Sequence, residues 1–367
     1  LLTVVIAVSI LLVVNVAHSI MIIQQNIHAM QLPTMDTVGN TQAWKPAKQF
    51  RPFLPASLPH KIGEKEAGVS PPIGSDSAPD GEQGSEPETG VMLPKNETGE
   101  ALTLLLLGSD RRTGERFPSR TDAIVVVRVD PAHQRVAMLS LPRDLVVEIP
   151  GYGYGRINST NVYGETSAQP GGGIALTRHT VANLLNIPID YVIWVQFEGF
   201  IDVVDTIGGI TIEVEQELYD PQFPTMDYGY TVAHFLPGQQ HMDGERALMY
   251  ARLRHPDSDF ARMRRQQQVM LAILAHLRQQ HIVQQVETMA DLTTALRDDI
   301  QTDLPIDRMM EIAWSLRGLS LDAIAYYALD ENMVMMGMFA DDPYAIVARP
   351  GAIERLATQL MGRGGDE

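Results

Sequence analysis

Cysteine is missing from this 367-residue chain. That excludes disulfides, thiolate metal sites and cysteine nucleophiles, and it leaves the redox compartment open. Lysine is absent after Lys95, so every permanent cation in the last three quarters of the chain is arginine. A GC-rich genome alone produces such a bias, and helix propensity gives no reason for Arg at these sites. There is no Walker loop, no serine nucleophile elbow and no dinucleotide fingerprint. The glycine triplet at 171–173 lacks the Lys-Ser/Thr of a phosphate loop. His179, His234, His241, His255, His276 and His281 show no metal-ligand spacing and read as ordinary surface or core residues. No internal repeat is visible. Net positive charge is lacking too: the formal value is -17, so most of the surface repels nucleic acid and direct contact with it is excluded.

What is present begins with an apolar run. Residues 1–23, LLTVVIAVSILLVVNVAHSIMII, carry no charge, and the first charged residue is Asp36. At about 1.5 Å per residue a helix of this length spans a bilayer core. A cleaved signal peptide is the competing reading, but its apolar core would be shorter and the small-residue site around Ala17–Ser19 is poor. We therefore expect a single-pass anchor in the cell membrane with the rest of the chain extracytoplasmic. A short basic leader ahead of Leu1 is expected, so orientation is not read from flanking charge. Residues 24–100 are expected to be a disordered linker. Ten of the 23 prolines lie between Pro33 and Pro94, mixed with Gly, Ser and Glu, and such a stretch buries too little apolar surface to offset its ordering entropy.

From Ala101 the texture changes. TLLLLGSD (103–110), DAIVVVRVD (122–130) and RVAMLSLPRD (135–144) read as strands, the last two joined by a turn at 130–133. DLVVEIP follows, then a Gly/Tyr loop, GYGYGRIN. Helices are expected at 174–186, in FEGFIDVVDTIGG, at 242–251 and at 260–281. IPIDYVIWVQF and ITIEVEQEL read as strands between them. Alternation of this kind implies an α/β domain, a central mixed β-sheet covered by helices. The main domain is set at 101–281, with a C-terminal helical extension of it at 282–345 that includes the strand IAYYALD and is expected to complete the core rather than cap a lipid pocket, and a flexible tail at 346–367.

Three constellations carry chemistry. In LGSDRRTGERFPSRTDAI, Asp110 closes one strand and Asp122 opens the next, so pairing of those strands brings the two carboxylates together. Paired carboxylates suit a hard cation such as Mg²⁺, and Arg111 and Arg120 beside them make sense if a phosphate shares the site. The alternative is that both Asp residues cap turns. In SLPRDLVVEIPG, Arg143-Asp144 follows a strand and places Arg143 at a sheet rim; the alternative is a surface ion pair.

The third constellation is ARLRHPDSDFARMRRQQQ, where Arg252, Arg254, Arg262, Arg264 and Arg265 fall within fourteen residues. Arg252 and Arg254 are two apart and point the same way on an extended backbone. Asp259 is a candidate N-cap, and Arg262 and Gln266 share a helical face near that end, where free N–H groups favour an anion. A guanidinium fork suits phosphate oxygens. The alternative is a solvated basic face, although arginines in a first turn oppose the helix dipole.

These pieces, in this order, resemble the LytR–CpsA–Psr family of bacterial envelope proteins. The resemblance is carried by LLLLGSDRR, SRTDAIVVVRVD, VAMLSLPRDLVVEIPGYG, RINSTNVYGE, the stretch from GGGIALTRHT to GGITIEV, and LPGQQHMDGERALMYARLRHPDSDFARMRRQQQ. It covers about residues 101–280. It implies an α/β domain that binds a polyprenyl-pyrophosphate-linked glycan and transfers the glycan phosphate to a peptidoglycan hydroxyl, assisted by Mg²⁺. By position, Asp110 and Asp122 would hold the metal. Arg111, Arg120, Arg143, Arg252, Arg254, Arg262 and Gln266 would surround the diphosphate. Arg143, Arg262 and Asp259 would be the catalytic set, with Asp259 orienting the arginines or helping the metal. Two other readings are a phosphohydrolase acting on the same lipid and a non-catalytic lipid-binding regulator, the class that the family's transcriptional-attenuator label suggests.

Overall fold

The computed structural model describes residues 21–22, 24–26, 28–31, 100–111, 118–167, 171–254, 258–279, 291, 294, 299–316, 318–339 and 342–362. Apart from residues 21–22, which are helical, the expected anchor lies outside the described residues, as does most of the expected linker. Among those described, no helix is long and apolar enough to cross a membrane.

Three consecutive strands, β1 (Leu102–Ser109), β2 (Thr121–Asp130) and β3 (Arg135–Ser140), pair antiparallel. Their runs of Leu, Val and Ile are nearly continuous because both faces of the sheet are covered. A hairpin follows, β4 (Val146–Ile149) with β5 (Gly153–Arg156). Part of the expected Gly/Tyr loop is thus a strand: Gly151 and Gly153 adopt φ of 78° and 75°, which turns the chain back on itself. Next come α1 (Thr160–Thr166), α2 (Gly172–Leu185), β6 (Tyr191–Gln196) and α3 (Phe197–Thr206). Then β7 (Ile210–Val214), β8 (Leu218–Pro224), β9 (Tyr230–Phe235) and β10 (Gly238–Met242) make two small antiparallel ribbons, β7 with β10 and β8 with β9. Helix α4 (Gly244–Arg252) starts at Asp243, whose carboxylate accepts the Arg246 N–H at 2.9 Å, and α5 (Asp259–Gln279) follows it. The chain closes with β11 (Ile300–Thr302), α6 (Ile306–Ser315), β12 (Ile324–Ala328), β13 (Val334–Met336), β14 (Ile346–Ala348) and α7 (Ala352–Leu360).

Six strands form the central sheet in the order β11-β6-β1-β2-β3-β12. It is mixed: β6 runs parallel to β1 and β12 parallel to β3, while the other pairs are antiparallel. On one face Leu105, Leu107, Ile124, Val126, Leu139 and Trp194 pack with Leu176, Val181 and Leu185 of α2 and with Ile353, Leu356 and Leu360 of α7. On the other, Leu104, Val125, Val127 and Met138 meet α6 and the middle of α5. A third cluster joins α3 and α4 to the ribbons through Val204, Ile210, Ile212, Phe235 and Tyr250.

Residues 282–345, expected to complete the core with helices and the strand IAYYALD, supply both edge strands of the sheet: β12 from IAYYALD, and β11, which was not expected. Two sequence boundaries need correction. The segment set aside as a tail, 346–367, contains β14 and α7, and burial of Ile353, Leu356 and Leu360 fixes it to the domain. The linker does not begin at 24 either. Residues 24–26 and 28–30 are helical, and Met30 is buried in the third cluster.

Candidate functional site

A cavity of about 340 Å³ lies beside the sheet, between β1, β2 and β6 on one side and α3, α4 and α5 on the other. Its walls are apolar. Leu106, Leu107, Val125 and Val195 come from the sheet, Phe197 and Phe200 from α3, Phe223 and Pro224 from β8, Leu248 and Ala251 from α4, and Val269 and Met270 from α5. Its polar lining is mainly Asp122, Arg143, Arg252, Arg254, Arg262 and Gln266. Six of the residues singled out from the sequence therefore meet in one place.

Each is held by local structure. Arg252 ends α4, and its guanidinium stands over the rings of Phe197 at 4.5 Å and Phe223 at 5.2 Å, a cation–π sandwich that fixes its direction. At Leu253 the chain leaves the helix, and Arg254 follows, half exposed, with Nε 3.7 Å from Asp259. Asp259 is not the N-cap of α5: the Ser258 hydroxyl accepts the Ala261 N–H at 3.2 Å. Asp259 instead binds Arg262 at 2.8 Å across one helical turn. Arg262 and Gln266 share a face, as their spacing of four requires. Arg265, on another face, is buried and donates to the Leu253 carbonyl, which gives it a structural role.

Arg262 is 3% exposed. Burial pulls its pKa down, Asp259 opposes that shift, and the Arg143 guanidinium adds to it; the net direction is downward. Among the described residues its Nε finds no acceptor. A cation so placed gains from an anion in the cavity. Arg143 differs. Burial works against its charge, but Asp122 and Asp144 more than offset that, and its pKa is raised. Arg143 pairs with Asp122, and its Nε is 3.5 Å from Asp144. Asp144 in turn accepts from Arg156 at 2.6 Å, and Arg156 is gripped by Asp342. The chain Asp122–Arg143–Asp144–Arg156–Asp342 ties the rim of the cavity to the C-terminal segment.

Asp122 is the residue skipped where β1–β2 pairing shifts at Gly108/Ser109, and Asp110 follows Ser109 directly. Asp110 accepts the Arg120 N–H at 3.1 Å, a bond across ten residues and not a local turn cap. It also stands close enough to Asp122 to feel its charge: burial first, and then that repulsion, raise the Asp110 pKa. Among the described residues no group of three or more His, Asp or Glu side chains could hold a metal. Two carboxylates exclude a closed protein cage. They fit Mg²⁺, which takes one or two carboxylates and fills its remaining positions with water and phosphate oxygens.

Arg111 and Arg120 do not line the cavity. Arg111 forms a two-point pair with Glu165 of α1 at 2.7 and 2.8 Å and lies 5.1 Å from the Trp194 ring centroid; Arg120 is exposed. The partners Glu165, Arg156 and Asp342 were not singled out from the sequence. Arg156 and Glu165 lie within the quoted RINSTNVYGE, but no spacing rule marks them. Nothing local marks Asp342.

Cationic forks and apolar walls around one cavity suit an anionic amphiphile. The chain is 30% identical over 248 residues to the polyisoprenyl-teichoic acid–peptidoglycan teichoic acid transferase TagU of Bacillus licheniformis, covering 63% of this chain and 74% of that protein. To TagT of Bacillus subtilis, a transferase of the same description, it is 37% identical over 178 residues, 48% of this chain and 52% of that protein. The solved structure of TagT bound to LI-WTA superposes with a TM-score of 0.58 at 27% identity, over 75% of this chain and 95% of that one. The model of the LytR_cpsA_psr family matches residues 75–357, a span that takes in every strand of the sheet and all the cavity-lining residues. By that match, this chain belongs to the LytR_cpsA_psr family.

Proposed function

We propose that this protein transfers a phosphate-linked glycan from a polyprenyl-diphosphate carrier to a hydroxyl of peptidoglycan, attaching a secondary polymer to the cell wall. One observation carries the reading: Arg143, Arg252, Arg254, Arg262 and Gln266 line the same cavity as a nearly unbroken apolar wall. A diphosphate needs the first and a polyprenyl tail needs the second. Relatives named as teichoic acid transferases support the class of reaction.

In this reading the guanidinium groups hold the non-bridging oxygens, and the low-polarity walls strengthen each contact. As the acceptor hydroxyl oxygen bonds to phosphorus, the anhydride bond breaks and the hydroxyl gives up its proton to solvent, while charge builds on those oxygens and on the departing polyprenyl phosphate. Preorganised arginines stabilise that charge without a protein nucleophile. Arg262, buried and with a spare N–H, is placed to gain most as the charge develops. Asp259 keeps Arg262 and Arg254 directed into the cavity. Asp110 and Asp122 would hold Mg²⁺, which when bound supplies positive charge to the phosphate oxygens. The domain works outside the cytoplasm, held to the membrane by the apolar run of residues 1–23.

The test places the full chain in liposomes with a polyprenyl-diphosphate-linked glycan and peptidoglycan fragments, with and without Mg²⁺. Attachment of glycan that requires Mg²⁺ and is lost in Arg143→Ala supports the proposal. Phosphate release without attachment identifies a hydrolase. Binding without turnover identifies a lipid-binding module.

A further inference from the structure

By composition, residues 24–100 are a spacer between an apolar run and a folded domain. The contacts of the first few of them say otherwise. Asn26 Nδ2 donates to Thr294 Oγ1 at 3.0 Å, and Gln31 Nε2 donates to the Leu304 carbonyl at 2.8 Å. Gln31 also forms a parallel bridge with Thr302 on β11, the edge of the central sheet. Met30, 6% exposed, packs in the cluster that includes Phe200, Ala251 and Val269, all three of which line the cavity. Gln31, ahead of residues 32–99, and Glu100, just ahead of β1, are therefore both part of one domain. A segment with both ends on one body sets no distance between that body and anything else.

Magnitudes separate the two arrangements. A 24–100 spacer behaving as flexible coil has a root-mean-square span of about 50 Å. Residues 24–31 rise only about 12 Å if helical throughout. They also carry no Asp, Glu, Lys or Arg, so nothing in them resists lying at a lipid headgroup boundary. A polyprenyl tail resides in the bilayer, and a cavity about 50 Å away would have to receive it through water.

We propose that residues 24–31 are a strap that seats the domain directly on the membrane at the end of the apolar run. In this arrangement the α3–α5 wall of the cavity lies beside the lipid. This rests on the membrane reading above and deepens it.

The absence of cysteine makes the test clean. In the full chain reconstituted in liposomes, Asn26→Cys with Thr294→Cys, and separately Gln31→Cys with Thr302→Cys, are expected to oxidise to an intramolecular disulfide. The readout is a gel-mobility shift reversed by reductant. Neighbouring ladder positions lie about 4.8 Å apart, within the range a disulfide spans. Deleting residues 40–90 is expected to leave transfer from a bilayer-embedded donor within about twofold. Inserting about twenty Gly/Ser residues between Ile23 and Gln24 is expected to lower that transfer about tenfold, by diluting the domain away from the surface. Neither change is expected to affect transfer from a short-chain, water-soluble donor. Liposome-bound protein whose two cysteine pairs both stay reduced overturns the strap alone. So does loss of transfer on deletion with none on insertion. Failure of the full chain to partition into liposomes overturns the membrane reading and the strap together.

Discussion

Asp342 holds Arg156 with both carboxylate oxygens, one of them 2.8 Å from Nε, across 186 residues of sequence. Arg156 passes the constraint to Asp144, and Asp144 to Arg143 at the cavity. A segment close to the C-terminus thus helps to aim an arginine proposed to grip the diphosphate. Removing one member of a buried pair strands the other's charge. Arg156→Ala, which strands Asp342 and Asp144 together, is expected to destabilise the domain by about 3–5 kcal/mol, whereas Arg156→Met combined with Asp342→Leu leaves only Asp144, still beside Arg143, and costs less. Chemical denaturation of the three proteins checks this. Equal losses in the single and the double variant would show that the pair contributes packing and not charge balance.

Arg262→Lys keeps the charge and loses the planar fork. With Asp259 and the helix unchanged, the melting temperature is expected to move little. Transfer is expected to fall by about 10²-fold, the scale for removing one oriented donor from a developing anion. Steady-state kinetics beside a thermal melt decide the matter, and wild-type turnover from the lysine variant would remove Arg262 from the proposed role.

The Asp110 pKa is raised by burial and by Asp122, so folding disfavours its ionised form. Without metal the group is therefore destabilising above its folded pKa. That penalty fades as pH falls through the folded value and is gone below the usual carboxylate range. Asp110→Asn is expected to raise the melting temperature at neutral pH in EDTA. Mg²⁺ should reverse the order: at a hundredfold excess over Kd a bound ligand adds about 2.7 kcal/mol to the native protein, a gain the Asn variant lacks. Protons compete for the same oxygens, so apparent Mg²⁺ affinity should weaken as pH drops toward the raised Asp110 pKa. Calorimetric titration across that acidic window reads it directly, and a flat profile would argue against a metal at this pair.

A chain stopped after Pro343 is expected not to fold. It loses β14 and α7 with Ile353, Leu356 and Leu360, each worth about 1.5–3 kcal/mol of burial, a total comparable with the whole stability of a domain. A stop after Gly362, by contrast, should leave the melting temperature unchanged. Circular dichroism melts of the two truncations provide the comparison.

The centre of the fold was legible in the sequence and its margins were not. β1, β2 and β3 are contiguous apolar runs, the last two joined by a local turn, and both faces of the sheet demand that pattern. The three-residue strands β11, β13 and β14 are too short to show any period. The β8–β9 ribbon hides behind Pro221 and Pro224, which mark edges and irregular register; its pairing does shift between Asp220 and Phe223. The site divides in the same way. Clustering exposed Arg252, Arg254, Arg262 and Gln266 because the end of α4 and the first turns of α5 are close in sequence and face the same cavity. Arg111 and Arg120 were placed by proximity along the chain, which does not set the direction of a side chain, and Arg111 turns to Glu165 instead. The Phe197–Arg252–Phe223 sandwich joins three separate elements and has no linear trace.

The order of strands in the sheet also constrains how the molecule comes into being. β12 settles against β3 only after almost two hundred residues have intervened, and β11 reaches β6 from more than a hundred residues downstream. Until those late pieces arrive, a nascent four-strand core displays two bare hydrogen-bonding margins, the template on which chains stick to one another. Maturation should accordingly be slow and vulnerable to crowding, since closing long loops precedes any reward. A helper that shields the unfinished margins during biogenesis would raise the yield of sound protein more than any single improvement inside the core.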